Sequence, residues 1–159
     1  MTHIAYIGLG ANLGDRQNTL HDAISGINAL DNSQVTLVSP FYRSAPVDAD
    51  GPEYINAVIQ LTTTATPQLL LEQLQAIEQQ HGRKRPYKNA PRTLDLDILL
   101  FDDICCNTAF LTLPHPRMHE RAFVLRPLAD IFPACQLIQG SIQDLIARCE
   151  HQAIERISP

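Results

Sequence analysis

The residues with the clearest chemical potential are two aspartates in the run at 92–101, RTLDLDILLF. Polar and apolar residues alternate there, which predicts a β-strand. Asp95 and Asp97 therefore share one face of this strand, with backbones roughly 7 Å apart. Leu99 and Phe101 continue that face, so we expect other parts of the chain to cover it. Two carboxylates in such a place repel each other and lose hydration unless a cation offsets their charge.

A divalent metal ion is the usual partner of such a pair, because hard oxygen ligands with room for phosphate oxygens suit magnesium. Metal ions about 3.5 to 4 Å apart could bridge phosphate oxygens during phosphoryl transfer. That reaction depends on positioning and charge stabilisation, so it requires no Ser-His-Asp or Cys-His constellation, and none is visible. The alternative is a strand whose aspartate face is simply solvated.

Basic residues crowd beside the aspartate strand. Five of the twelve Lys and Arg residues fall within ten positions, and two more arginines follow: Arg83, Lys84, Arg85, Lys88 and Arg92, then Arg117 and Arg121. On a chain of net charge −5 this cluster indicates a local anion site, such as one for a polyphosphate. The alternative is a solvated basic loop. His115, held between two prolines, could donate to a phosphate or could be an exposed loop residue.

Length and composition predict a single domain over residues 1–159. No apolar stretch approaches the roughly 20 residues that span a bilayer, and the N-terminus lacks the features of a secretion signal. Four cysteines without zinc-ligand spacing fit reduced thiols in the cytosol. Net acidity argues against a general nucleic-acid binder. The prediction is a cytoplasmic monomer that binds neither nucleic acid nor membrane.

The apolar periodicity predicts elements in the order β-α-β-β-α-β, followed by an appendage. Strands are predicted at 3–9, 34–42 and 54–63, the second at an edge or bulge because it contains a proline. The predicted helices run from an Asp15 cap to about residue 30, and from a Thr66-Pro67 start to Gly82. Gly8, Gly10 and Gly14 are interpreted as a tight strand-to-helix turn, since neither a Walker loop nor a dinucleotide fingerprint is present.

Right-handed crossovers turn this order into an α+β fold, a ferredoxin-like β-α-β-β-α-β antiparallel sheet with the helices on one face. A short hairpin around Asn107 and a C-terminal helical extension, with helical stretches at 121–130 and 141–148, complete the chain. The predicted helix-facing residues of the aspartate strand are Leu94, Leu96 and Ile98. The opposite face is predicted to carry Asp95, Asp97, Tyr54 and Asn56. Tyr54 and Phe123 could be core aromatics or the walls of a pocket for a flat ring.

Six segments carry a resemblance to a known family. They are GLGANLGD at 8–15, FYRSAP at 41–46, YINA at 54–57, GRKR at 82–85, PRTLDLDILLF at 91–101 and PHPRMHERAFVL at 114–125. In this order they resemble the 6-hydroxymethyl-7,8-dihydropterin pyrophosphokinases of folate synthesis. The resemblance spans nearly the whole chain, and the block at 91–101 is highly specific.

The resemblance implies that ATP and 6-hydroxymethyl-7,8-dihydropterin react to give AMP and the pterin diphosphate. It implies two Mg²⁺ ions on Asp95 and Asp97, and a transferred group stabilised by Arg83 and Arg92. The implied ATP-binding residues are Gln75, Glu78, Arg85, Ile98, Thr112, His115 and Arg121, of which the last two contact phosphates and also act in catalysis. The implied pterin-binding residues are Ser44, Val47, Tyr54, Asn56 and Phe123.

The chain departs from the family pattern at two places. Asn89 and Ala90 stand where members often carry a tryptophan, and Phe110 stands where a basic residue is sometimes found. The basic loop at 82–90 has little apolar content, so we expect it to be mobile without ligand and to order over ATP. Two other classes stay open: a palm- or cyclase-like nucleotidyl transferase, and a sensing or RNA-binding module of the same fold, against which the net acidity and the aspartate pair count.

Overall fold

The computed structural model describes residues 1–12, 15–45, 53–81 and 94–157. The strands are, in chain order, β1 (His3–Ala11), β2 (Ser33–Val38), β3 (Tyr42–Ser44), β4 (Tyr54–Thr63), β5 (Asp95–Phe101), β6 (Cys106–Asn107), β7 (Thr112–Leu113), β8 (Gln136–Leu137), β9 (Gly140–Ser141) and β10 (Ile154–Arg156). The helices are α1 (Arg16–Asn28), α2 (Pro67–Gln80), α3 (Ala122–Ile131) and α4 (Ile142–Arg148), with a 3-10 turn at Met118–Glu120. None of the helices within these ranges is long and apolar enough to cross a membrane.

The central sheet has the strand order β10-β3-β4-β1-β5, and β2 also pairs with β4. Its neighbouring strands are antiparallel, with β1 lying between β4 and β5. This arrangement confirms the ferredoxin-like plan, because the first strand and the strand at 54–63 are central and the aspartate strand lies beside β1. The predicted hairpin around Asn107 is formed by β6 and β7.

Helices α1 and α2 cover one face of the sheet. Both begin where the sequence predicts, since the Asp15 side chain accepts from the Asn18 N–H and the Thr66 side chain from the Leu69 N–H. A single apolar cluster joins residues of these helices to alternate residues of β1, β4 and β5. Its members include Leu20, Ile27, Leu70, Leu74, Leu94, Leu96 and Ile98. The predicted helix-facing side of the aspartate strand is therefore confirmed.

The C-terminal extension covers part of the opposite face. Tyr6, Val58 and Leu99 of the sheet pack there against α3 and α4 in a second apolar cluster. The extension also returns to the sheet as β10, which pairs with β3 and was not predicted from the sequence. These contacts bury one end of the face, and the end that carries the aspartates stays open.

Two strand boundaries differ from the prediction. Gly10 and Ala11 continue β1 instead of forming a turn, because they pair across the sheet with Asn56 and Ile55. The predicted strand at 34–42 is two strands, β2 and β3. They are separated at Ser39 and Pro40, where Pro40 offers no N–H to the ladder. Ser39 bonds to β4 at this break: its backbone N–H donates to Val58 O and its hydroxyl accepts from the Val58 N–H.

The prediction that Phe101 shares the aspartate face is wrong. The pairing of β1 with β5 shifts between Tyr6 and Ile7, which lie opposite Leu100 and Ile98, so Leu99 is an extra residue in the ladder. A bulge of one residue reverses the alternation beyond it. Leu99 therefore stays on the aspartate face, and Phe101 is fully buried on the side of α1 and α2.

Candidate active site

At the open end of the sheet, two glycines of β1 lie at the surface between the neighbouring strands. Gly8 and Gly10 of β1 lie between the aspartates of β5 and the strand β4, with Gly8 opposite Asp97 and Gly10 opposite both Asp95 and Asn56. Both glycines line a cavity of about 690 Å³, in which the side chains of Leu99 and Asn56 come close to their Cα atoms. Both residues belong to β1, so their interpretation as a turn is wrong. Their lack of side chains keeps this part of the cavity free of Cβ atoms.

The aspartates form one wall of the cavity. Asp95 is partly exposed, Asp97 is exposed, and both line the cavity as predicted. On the helix side of their strand, the Glu78 carboxylate of α2 accepts from the Leu96 N–H at 2.8 Å, midway between the two aspartates. The backbone of β5, which carries both carboxylates, is thus held by its pairing with β1 and by this hydrogen bond to Glu78.

The start of α3 supplies a second wall, which is cationic and aromatic. Arg117, Arg121 and Phe123 line the cavity, together with the carboxylate of Glu120. The Arg121 guanidinium carbon lies 5.5 Å from the centroid of the Phe123 ring, a distance typical of a cation–π contact. The cavity therefore combines acidic, basic and aromatic side chains from distant parts of the chain.

Polar groups of β3 and β4 form the third wall. Asn56 is 3% exposed and donates from Nδ2 to Ser44 Oγ at 2.7 Å. Tyr54 stands beside this pair, and burial raises the pKa of its phenol, with the charge of Asp95 raising it further. Tyr54 and Phe123 both line the cavity, and Phe123 also packs against the second apolar cluster.

His115 lies at the edge of this arrangement without lining the cavity. Its backbone N–H donates to Leu99 O at 3.0 Å, which holds it beside β5. Burial lowers the pKa of its imidazole; the charge of Asp97 acts in the opposite direction, and those of Arg121 and Arg117 lower it further. Nδ1 accepts from the Arg117 N–H at 3.2 Å, so Nε2 carries the proton and is a donor.

Other predicted ATP-binding residues lie around β5 and outside the cavity. Gln75 is exposed on α2, and Glu78 is bound to the β5 backbone. The Ile98 side chain is 3% exposed within the helix-side cluster. Thr112 lies on β7, which contacts β5, and its hydroxyl donates to Asn107 Oδ1 at 3.1 Å. The predicted residues Val47, Arg83, Arg85 and Arg92, and the loop at 82–90, lie outside the described residues.

Several cavity residues were missed by the sequence analysis. They are Gly8, Gly10, Glu120 and residues 151–154. The alternate spacing of Gly8 and Gly10 places both residues on one face only once both are known to belong to β1, and that depends on the pairing of β1 with β4 and β5. Nothing local to residues 151–154 marks them, since the pairing of β10 with β3 and the hydrogen bonds of Gln152 to Glu120 and Ala122 bring them to the cavity.

The donor set suits magnesium that is bound together with a phosphate. Within the described ranges no group of three or more His, Cys, Asp or Glu side chains is placed to hold a metal ion. Magnesium commonly takes one or two protein carboxylates and completes its coordination with water and substrate phosphates. Asp95 and Asp97, side by side at the edge of an open cavity, fit that requirement.

Fold and site together define a class: a ferredoxin-like α+β protein with paired carboxylates, arginines and aromatic rings around one cavity. Over residues 6–133 the sequence matches the family of 7,8-dihydro-6-hydroxymethylpterin-pyrophosphokinase (HPPK). The chain belongs to this family.

Two relatives align with most of this chain. The chain is 41% identical over 159 residues to the 2-amino-4-hydroxy-6-hydroxymethyldihydropteridine pyrophosphokinase of Pseudomonas aeruginosa, covering 99% of this chain and 98% of the relative. It is 44% identical over 140 residues to the enzyme of that name from Bacillus subtilis, covering 87% and 82%. The HPPK-DHPS of Plasmodium falciparum, solved with pteroate, superposes with a TM-score of 0.74 at 15% identity, over 93% of this chain and 42% of that one. This last similarity is one of fold alone, and the chain spans less than half of that protein.

Proposed function

We propose that the cavity binds ATP and 6-hydroxymethyl-7,8-dihydropterin and transfers pyrophosphate between them, giving AMP and the pterin diphosphate for folate biosynthesis. Family membership supports the reaction. The observation that carries its location is the meeting of the Asp95 and Asp97 carboxylates with the pocket of Tyr54, Asn56 and Phe123 in one cavity. A charged phosphate chain and a flat polar ring are the two groups that such a cavity would hold side by side.

The pterin is proposed to lie against β3, β4 and the start of α3. Its ring carries an amide-like edge that needs hydrogen bonds and flat faces that need apolar contact. The Asn56 and Ser44 side chains, buried and bonded to each other, offer fixed polar groups for that edge. Tyr54 and Phe123 offer the contact for the faces. Val47 joins this group through the resemblance alone.

The phosphates are proposed to lie between the aspartate wall and the arginine wall. Asp95 and Asp97 would hold two Mg²⁺ ions, which when bound neutralise charge on the transferred group. Arg121 would place its planar fork against phosphate oxygens, and the Nε2–H of His115 would donate to them. Arg83, Arg85 and Arg92 are proposed, from the resemblance, to act from the basic segment that precedes β5.

The nucleoside of ATP is proposed to bind along β5, at the strand's edge. The support is that α2 and β7 flank this strand, with Glu78 bound to its backbone and Thr112 on the neighbouring hairpin. Because the Ile98 side chain is buried, only its backbone could meet the nucleotide directly. Gln75 is exposed on α2 one turn from Glu78.

A cytoplasmic location, a monomeric state and a single domain over residues 1–159 remain predictions from the sequence.

The decisive experiment identifies the products. Incubation with ATP, Mg²⁺ and the pterin should yield AMP and the pterin diphosphate, separated by chromatography. Release of ADP would contradict pyrophosphoryl transfer, and release of pyrophosphate without pterin would indicate a nucleotidyl transferase. Nucleotide binding that is unchanged by EDTA would instead favour a sensing module.

The aspartate pair is tested by amide substitution. Asp97→Asn should lower kcat by about a hundredfold or more, because a charge that acts on the transferred group is lost. Calorimetry should show that the dependence of ATP binding on magnesium is also weakened, which is a readout independent of turnover. Asp103→Asn is the matched control, since Asp103 is an exposed aspartate just beyond β5 and outside the cavity. Normal turnover of Asp97→Asn would remove the metal proposal.

A further inference from the structure

Helix α3 begins at Arg121 without the usual capping side chain. Arg121 lies between the 3-10 turn at Met118–Glu120 and α3, and it occupies the N-cap position of α3 without a capping side chain. The first N–H groups of a helix have no partner within the helix, so Ser, Thr, Asp or Asn usually accepts from them at this position. An arginine cannot do so, because its guanidinium only donates. The Arg121 side chain lies instead at the cavity wall, against Phe123.

A residue of the C-terminal segment supplies the missing cap. The Gln152 Oε1 accepts from the Ala122 N–H at 2.8 Å, and its Nε2 donates to Glu120 O at 2.7 Å. One carboxamide has both an acceptor and donors, so a single side chain binds the peptide groups on both sides of Arg121. These two hydrogen bonds hold the Arg121 backbone in its extended conformation, with φ −120° and ψ 110°.

Gln152 is itself held in place by the fold. Its backbone N–H donates to Cys149 O at 2.9 Å, just after α4. Two residues later the chain enters β10, where Ile154 pairs with Ser44 of β3. Residues 151–154 line the cavity, although they lie beyond residues 6–133 that match the family. The segment thus connects the arginine wall to the strand that carries Ser44.

We propose that Gln152 is a positioning residue that fixes the backbone of Arg121, so that the guanidinium is held at the cavity before substrates bind. The inference rests on the proposed function, in which Arg121 contacts the phosphates of ATP. An arginine on a loose backbone has to be ordered when the nucleotide binds, and that ordering weakens the interaction. In this proposal Gln152 contributes to the reaction through the position of Arg121.

The test replaces the carboxamide with an apolar side chain of similar length. Gln152→Met removes both hydrogen bonds, and kcat/KM for ATP at saturating pterin should fall by about tenfold. Gln143→Met is the matched control, because the Gln143 Nε2 also donates to a backbone oxygen of the C-terminal extension, Pro133 O, at 2.6 Å, and Gln143 does not line the cavity. The control should stay within about twofold of the wild type.

A double-mutant cycle separates positioning from general structure. In an Arg121→Ala background, Gln152→Met should cause little further loss, because the side chain that it positions is absent. An equal fold-loss in both backgrounds would overturn the proposal, as would a Gln152→Met enzyme with wild-type constants. If Gln152→Met unfolds at a much lower temperature than Gln143→Met, Gln152→Glu is used in its place. This variant keeps the acceptor for the Ala122 N–H and loses the donor to Glu120 O, so kcat/KM for ATP should still fall. A wild-type protein that forms no AMP would refute the proposed function, whereas an active wild type with an unaffected Gln152→Met refutes only this inference.

Discussion

Alanine in place of Gly10 would test whether the floor of the cavity must stay free of side chains. Among the described glycines only Gly140 has a positive φ, so alanine can adopt the Gly10 backbone without strain. The loss of unfolded-state freedom alone would stabilise the protein by about 0.5 to 1 kcal/mol. The added Cβ, however, would lie 3.2 Å from Asn56 Oδ1 and 3.8 Å from Tyr54 Cδ1. The first distance is tighter than an ordinary contact, so Asn56 has to give by a few tenths of an ångström.

Asn56 has little room for that movement. It is 3% exposed and bonded through Nδ2 to Ser44 Oγ, so a displaced amide either stretches this bond or turns away from the cavity. The loss of one well-placed hydrogen bond to the pterin costs about 1.4 kcal/mol, which is about tenfold in affinity. We therefore expect Gly10→Ala to raise the pterin Kd by about tenfold while the KM for ATP changes by less than about twofold.

Calorimetry of pterin binding, steady-state kinetics and thermal unfolding together decide the outcome. Gly26→Ala in α1 is the matched control, because its Cβ would meet only Ile77 Cδ1 at 3.9 Å. It should raise stability by up to about 1 kcal/mol through helix propensity and leave every kinetic constant unchanged. If Gly10→Ala bound the pterin as tightly as the wild type, the position of Asn56 would not matter to the ring, and the proposed pterin pocket would be wrong.

Two further predictions concern pairs outside the cavity. Tyr42, 2% exposed, donates its hydroxyl to Asp130, and burial followed by this carboxylate raises its pKa from 10.0 to about 12. Tyr42→Phe should cost about 1 to 2 kcal/mol in urea unfolding at neutral pH. Because the folded-state pKa is raised, the advantage of the wild type should be complete below pH 10 and shrink as the pH rises through 12. Asp102 accepts from the Ile4 N–H at 2.7 Å and from His3 at 2.6 Å; the first of these bonds contributes most to lowering its pKa. Because that pKa is lowered, the wild type should be more stable than Asp102→Asn by a constant amount above about pH 4. This difference should decline as the pH falls through the folded-state pKa, which unfolding measured across pH would show. No decline would refute the assignment.

Features with a local cause were predictable from the sequence. The alternation at 92–101 was sufficient to place Asp95 and Asp97 on one face and Leu96 on the other, because the period of a strand does not depend on its partners. The Asp15 and Thr66 caps were equally local, since each side chain accepts from an N–H three residues later. Ferredoxin-like topology followed from the order of these elements and the handedness of crossovers.

Features that depend on a partner strand were not predictable. Phe101 changes face because the ladder between β1 and β5 gains a residue, and nothing within 92–101 encodes that shift. Gly10 reads as a turn residue in isolation, and it becomes part of β1 only because Asn56 and Asp95 lie across from it. In both cases the register with a neighbour overrides the local preference.

The cap of α3 is a case in which a local signal was present but incomplete. A helix that starts after an arginine, without Ser, Thr, Asp or Asn at its N-cap, leaves backbone N–H groups that need partners elsewhere. The sequence around Arg121 shows that deficit, but it cannot show that the partner is Gln152, 31 positions further along the chain. Arg121 stands at the cap position in place of a residue whose side chain would stabilise the helix start. A distant segment must then supply the stabilisation, and here the carboxamide of Gln152 does so.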